Sequence, residues 1–152
     1  MTPGHIEQSI FLFNLFTEVA IVEHLVRNRL QGFVEPDLTP GQFGIISRFV
    51  RTGAPEESQA AMAWAFQDEE AYMAEKVDAL LAKGYVTARA AEDGTDRLVS
   101  LTPDGAAAHA HAVERMAPEV EPLLEGLDIE DLKTTLATIR ELRRTLDNLP
   151  DR

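Results

Sequence analysis

Between His5 and Gln31 the chain has no proline or glycine, and apolar residues recur at helical spacing. Ile6, Ile10, Phe13, Phe16, Ala20 and His24 mark one side, and Leu12, Leu15, Val19, Val22 and Val26 widen it. The pattern predicts a long helix that is apolar over so much of its surface that it needs more than one packing partner. Burial in an oligomer follows as an expectation, with His24 a hydrogen-bonded interior or interface histidine. The stretch Ile10–Val22 is thirteen residues, broken by Asn14, Thr17 and Glu18. A membrane span needs ~20 apolar residues, so a buried helix is expected and no membrane association. Residues 1–9 hold no Lys or Arg, so the positive region of a secretory signal is missing. A cytoplasmic protein is expected.

Thr39-Pro40 has the form of an N-cap followed by proline at the first helical position. The helix it opens carries Phe43, Ile46, Phe49 and Val50 and stops at Thr52-Gly53. A short helix fits Glu56 to Phe66. A further one starts at Gln67 or Asp68, repeats Met73, Val77, Leu80 and Leu81, and ends where Gly84 provides a C-terminal cap. The period then changes. Tyr85-Val86-Thr87 and Leu98-Val99-Ser100-Leu101 are β-like runs flanking Asp93-Gly94, a hairpin turn signal. Thr102-Pro103-Asp104-Gly105 opens a helix toward Glu125, which Gly126 breaks. From Asp128 to about Leu149, the residues Ile129, Leu132, Leu136, Ile139, Leu142, Leu146 and Leu149 are spaced by three or four, as in a helix–helix seam.

The 152 residues suit one domain with helical extensions, and 45% apolar with 26% charged residues excludes wholesale disorder. The absence of cysteine removes disulfides, thiolate zinc sites and cysteine nucleophiles together. A net charge of −12 argues against generic attachment to nucleic acid or anionic membranes, unless a local basic surface survives the average.

Three compact helices followed by a hairpin is the plan of a winged helix-turn-helix. The expected fold is mainly α with a small β-hairpin wing and long N- and C-terminal dimerisation helices. Leu38-Thr39-Pro40-Gly41-Gln42-Phe43, Val77-Asp78-Ala79-Leu80-Leu81-Ala82-Lys83-Gly84-Tyr85-Val86 and Leu101-Thr102-Pro103-Asp104-Gly105 follow one another in this order. On these residues the chain resembles the MarR family of bacterial transcription regulators, over roughly residues 35–110. The resemblance implies a homodimer, with residues 1–34 and 104–152 forming the dimerisation region and 35–103 the winged helix-turn-helix domain. It implies a fourth helix in the major groove of double-stranded DNA, wings reaching the minor groove or backbone, and modulation by a small, often aromatic ligand.

The recognition helix is then expected to present Ala71, Tyr72, Ala74, Glu75 and Lys76 to DNA. Asp68, Glu69, Glu70 and Glu75 occupy positions where the family commonly carries Ser, Thr, Lys and Arg. They favour the helix by complementing its dipole and oppose phosphate at its N-terminus. Counted back without a gap, the family's Asp-x-Arg wing element falls on Asp93-Gly94-Thr95. A one-residue gap brings Asp96-Arg97 into that place. Arg97 and Arg89 are the wing candidates for nucleic acid, Arg97 being equally a surface partner for Asp96 or Asp93. Residues 67–104 hold four basic and nine acidic residues, so the segment facing DNA is no basic island. The alternative is a MarR-like dimer that has lost DNA binding and serves as a protein- or ligand-binding module, its acidic surface facing a basic partner.

Of the aromatics, Phe43, Phe49, Phe66 and Tyr72 are expected in the domain core. Trp64 stands at a position that is polar in relatives, and an exposed tryptophan marks a ligand or partner surface. Arg48 and Arg51 line the same groove, bind an acidic ligand, or simply solvate their helix. His109 and His111 lie about 200° apart on a helix, so they cannot share a metal without a bend. A site of one of them with Glu114 is the weaker reading, and no metal or cofactor is expected. No Gly-x-Ser-x-Gly and no phosphate-cradling Gly-x-x-x-x-Gly-Lys occurs. No enzyme is indicated.

Overall fold

The structure, a computed structural model, describes residues 3–34 and 36–149. Residue 35, where a domain boundary is expected, lies outside the described residues. The chain divides into two compact units, residues 1–116 and 117–152.

In the first unit, α1 (Pro3–Val34) is followed by α2 (Pro40–Thr52), β1 (Glu57–Ser58), α3 (Gln59–Phe66), α4 (Glu70–Ala82), β2 (Val86–Ala90) and β3 (Arg97–Leu101). Helix α5 (Pro103–Val120) runs past the end of the unit. The motif residues have local structural reasons. Thr39 and Gln42 form a reciprocal capping box at α2 with Pro40 in the first turn, and Gly53 ends the helix in the left-handed conformation at φ 65°. Thr102 Oγ1 accepts from Gly105 N at 3.0 Å and donates to Gly84 O at 2.7 Å, tying the start of α5 to the end of α4. A Cβ on Gly105 would lie 2.1 Å from Tyr85 O, so only glycine lets α5 approach this closely.

The core collects Ile45, Ile46 and Phe49 of α2, Met62 and Ala63 of α3, and Met73, Val77 and Leu80 of α4. Val86, Val99, Ala112, Met116 and Val34 complete it. Strand order is β1-β3-β2, all antiparallel, with Val86 opposite Leu101 and Glu57 opposite Val99. The segment expected as helix from Glu56 begins instead as strand: Glu57-Ser58 pair with β3, and Ser58 caps α3 through Ala61 N. Helix α4 starts at Glu70, two or three residues later than expected.

Helix α1, seen in a single chain, bears on two expectations. By length and composition its stretch Gly4–Leu30 is sufficient for a membrane span, although the Ile10–Val22 core is shorter. It is also not buried within the chain: Ile10, Phe11, Phe13 and Leu25 are more than half exposed. Among its described residues, Leu30 and Val34 at the C-terminal end pack on the core. His24 is likewise exposed, with Nε2 3.0 Å from Asn28 Nδ2.

The second unit holds the last turn of α5, a 3-10 turn (Glu121–Leu124) and α6 (Ile129–Asp147). Asp128 caps α6 by accepting from Glu130 N and Asp131 N. Leu132, Ile139 and Leu142 are half-buried, whereas Leu123, Leu127, Ile129, Leu136, Leu146 and Leu149 are exposed.

Candidate nucleic-acid interface

Helix α4 buries Met73, Val77 and Leu80 and turns Ala71, Tyr72, Glu75 and Asp78 outward. The three buried positions follow the helical period, so packing alone fixes which face is offered. Its N-cap is Glu69, which makes no side-chain cap bond, and Glu70 lies in the first turn. Both are exposed, and Asp68 precedes them. The end of α4 that would otherwise attract phosphate therefore carries carboxylates.

Tyr72 is 54% exposed, in contrast to the core position expected for it, and suits the outward role also expected. Lys76 bends back. Its Nζ sits 3.9 Å from the centroid of the Tyr72 ring and 2.5 Å from Asp68 Oδ2, and its stem lies against Gly41 of α2. With 13% of its side chain exposed, Lys76 serves the packing of α4 on α2 in this arrangement. Ala74 is half-buried and offers its carbonyl to Arg97 at 3.5 Å.

Arg97 sits at the base of the wing and bridges two helices. Its guanidinium donates to Gln59 Oε1 at 2.9 and 2.6 Å and to Asp78 Oδ1 at 2.6 Å. Of the expected partners, Asp96 meets Arg97 at the backbone, its Oδ1 accepting from Arg97 N at 2.7 Å, and Asp93 is engaged in the wing turn. Asp96 accepts from the Ser58 hydroxyl, from Arg97 N and from Ala60 N, and these bonds, the hydroxyl foremost, hold its carboxyl below the ordinary range despite partial burial. Asp93 accepts from Thr95 N at 3.0 Å in the turn at the wing tip, which lowers its pKa too. Asp96-Arg97 thus bolts the wing to α3 and α4. A polar cleft of about 240 Å³ opens beside this bolt, lined by Gln59, Ala60, Glu70 and residues 94–97.

Arg89, on β2, is the most outward wing cation. It makes a two-point contact with Glu56, at 2.9 and 2.6 Å, while its side chain stays 59% exposed. Arg48 donates to Glu57 Oε2 at 2.6 Å and is half-buried, and Arg51 is exposed at the end of α2. Trp64 is 51% exposed on α3. These three residues, expected to share a groove, do not jointly line any of the described clefts. An apolar cavity of the first unit, about 180 Å³, is instead walled by Val26, Arg27, Leu30, Val34, Pro40, Phe43 and Met116. Among the described residues no group of three His, Asp or Glu side chains that could hold a metal ion occurs.

The cations stand out in the sequence, and their partners do not. Glu56, Glu57, Gln59 and Asp78 lie 9 to 38 residues from the arginines they hold. One signal was present: two adjacent acids just before the third helix, on a segment that becomes a strand.

No family model matches the sequence, and no curated protein matches it. Solved structures do. A MarR transcriptional regulator from Methanosarcina mazei Go1 aligns over 87% of this chain and 97% of its own at 18% identity, with a TM-score of 0.72. A point mutant of MepR from a multidrug-resistant S. aureus clinical isolate aligns over 87% and 96% at 14% identity, TM-score 0.70. The chain has the MarR-type winged-helix fold. A mutant MarR from E. coli in complex with operator DNA has the same fold, at 19% identity over 86% of this chain and 97% of that one, TM-score 0.60. At these identities the likeness is one of fold.

Proposed function

We propose that the chain is a MarR-type transcription regulator, not an enzyme, that acts in the cytoplasm as a homodimer on double-stranded DNA. The observation that carries this reading is the pairing of an outward α4 face, with Ala71, Tyr72 and Glu75, and an adjacent wing bearing Arg89, in a fold that a DNA-bound neighbour also has. Residues 35–103 form the DNA-binding domain in this reading, and residues 1–34 and 104–152 the dimerisation region. The exposed apolar surface of α1 and of residues 123–149 supports a second copy as its cover. Length and composition alone would also admit α1 to a bilayer. Continuity with the packed end at Leu30 and Val34, and the Glu23–Arg27 pair at 3.1 Å along the helix, favour a protein partner. The apolar cavity walled by Phe43 and Pro40 suits a small aromatic ligand as modulator.

The internal ion pairs set the affinity scale. Exposed pairs such as Arg89–Glu56 contribute only ~0.2–1 kcal/mol, so exchanging Glu56 for a phosphate costs little. Glu69, Glu70 and Glu75 are harder to offset, because each repels the duplex and none is removed by rearranging a cation. Weak non-specific binding with a shallow salt dependence follows, since few counterions are released. Selection of duplexes from a randomised pool at low salt tests the proposal: a two-fold-symmetric sequence with half-sites about one helical turn apart is expected. Failure of any duplex to bind micromolar protein would overturn it.

A second reading, a MarR-like dimer without DNA binding that engages a protein or ligand, has one specific observation in its favour. Among the described residues 36–104, Arg48, Lys76, Arg89 and Arg97 each meet one of the chain's own carboxylates, and Lys83 lies on Asp37 O and Gln42 Oε1. A duplex complex that Arg89→Ala abolishes would exclude this reading.

A further inference from the structure

His109 belongs neither to the α4–wing surface nor to a metal site, yet it is well built into the first unit. Its ring lies flat on Phe43, with centroids 5.0 Å apart and planes 7° from parallel. Nε2 is 3.1 Å from Ser47 Oγ, so both contacts go to one side of α2, one turn apart. The ring shares the inner side of α5 with Gly105, Ala112 and Met116, all buried. The opposite role of Phe43 is to wall the apolar cavity with Val26, Leu30, Val34, Pro40 and Met116. One phenyl ring therefore separates an imidazole from an apolar cavity.

Among the described residues, the charged groups around this ring leave it without a counter-ion. On α5, Asp104, His111, Glu114 and Arg115 point away from the inner side by the helical period, and Arg115 pairs with Asp37 at 3.6 Å. On α2, Arg48 is turned to Glu57, and Arg51 lies one turn beyond Ser47 and is exposed. On α1, Arg27 at the cavity wall pairs with Glu23. Burial alone lowers the pKa of His109, because an imidazolium here would lose hydration and gain no carboxylate. Cation–π attraction to Phe43 offsets part of that loss. The Ser47 hydroxyl serves either protonation state, since it can donate or accept.

We propose that His109 is a proton-operated joint between α2 and α5: neutral, it stacks on Phe43 and holds the cavity wall in place, and protonated, it leaves the stack for water and frees that wall. The joint makes the shape of the cavity pH-dependent whether or not the cavity takes a modulator, so it stands apart from the ligand reading above. The sign is fixed by the direction of the shift. The neutral arrangement is complete above the ordinary histidine value of 6.5 and is lost as pH falls through the lower folded value.

The test is an NMR titration of the full chain from pH 8 to 5, following the His109 ring, the Phe43 ring and Ser47. The expected result is a His109 midpoint below 6.5, with Phe43 and Ser47 shifting at that same midpoint. In His109→Asn, which retains a partner for Ser47 but no titrating ring, the Phe43 shift should vanish. A His109 midpoint at 6.5 or above, a Phe43 ring that does not follow it, or a Phe43 shift that persists in the variant would each overturn the proposal. So would global unfolding at the same midpoint, because the device would then not be local. Should His109→Asn fail to fold, coincidence or separation of the three wild-type midpoints decides.

Discussion

Ser58 shows how much one side chain organises in this chain. Its hydroxyl accepts from Ala61 N to cap α3 and donates to Asp96 on the other side of the wing turn. A two-residue strand, a helix start and the wing base thus meet at one oxygen. Ser58→Ala removes the cap and leaves Asp96 short of its main donor, so a loss of about 1–2 kcal/mol in chemical denaturation is expected. Asp96 ionises more readily folded than unfolded, so it stabilises the fold above pH 3.8, and that contribution is lost as pH falls through the lower folded value. The acid limb of the stability profile should therefore be shallower in Ser58→Ala than in the wild type, measured by melting between pH 5 and 2. None of this was legible in the sequence. The identity of Asp96 as the wing acid needed a gap, and Ser58 stood in a segment that the apolar pattern assigned to helix. Pairing with β3, which is non-local, overrode the local helical pattern.

The elements were far more readable, because several carry their own start or stop chemistry. Thr39-Pro40 and Gly53 bound α2, Asp128 caps α6, and Gly94 at φ 70° and Gly84 at φ 73° occupy the turns that require a left-handed residue. What the elements do to one another follows from their apolar periods. Phe49 is 2% exposed at the centre of the core, and Phe49→Ala should cost about 3–5 kcal/mol and threaten folding at growth temperature. Gly105→Ala is a sharper test of element packing. A methyl 2.1 Å from a carbonyl oxygen forces α5 away from Tyr85, so a loss of at least ~1–3 kcal/mol is expected, although alanine is the better helix former. Were the variant instead stabilised, as a propensity argument alone would have it, the close approach of α5 to Tyr85 would be wrong. The outward face of α4 was legible from the spacing of Met73, Val77 and Leu80. The fate of Lys76 was not, since its carboxylate partner and its packing against Gly41 depend on the tertiary arrangement.

At the scale of the whole molecule, two properties of the chain ask for partners. The first is the apolar surface of α1, with Phe11 and Phe13 about 70% exposed, and of the helix seam in residues 123–149. A soluble chain rarely leaves such a surface uncovered. Sedimentation should return twice the 16.8 kDa chain mass, and Phe13→Glu with Leu25→Glu should shift the chain toward monomer without unfolding the 36–104 region. The second property is a charge of −12 per chain that includes the outward face of α4, the surface proposed to meet DNA. An acidic dimer body is compatible with DNA binding, but acids at α4 oppose every phosphate contact. That charge is legible in the sequence, and in the structure the nearby cations Lys76, Arg89 and Arg97 are held by the chain's own acceptors. The most direct test is fluorescence anisotropy of the protein on a duplex selected by it, across a salt series. Saturable binding with a shallow salt slope is expected, weakened by Arg89→Ala and strengthened by the pair Glu70→Gln and Glu75→Gln. No saturable binding at micromolar protein and low salt, in the wild type and in the Glu70→Gln, Glu75→Gln variant alike, would contradict the proposed DNA binding.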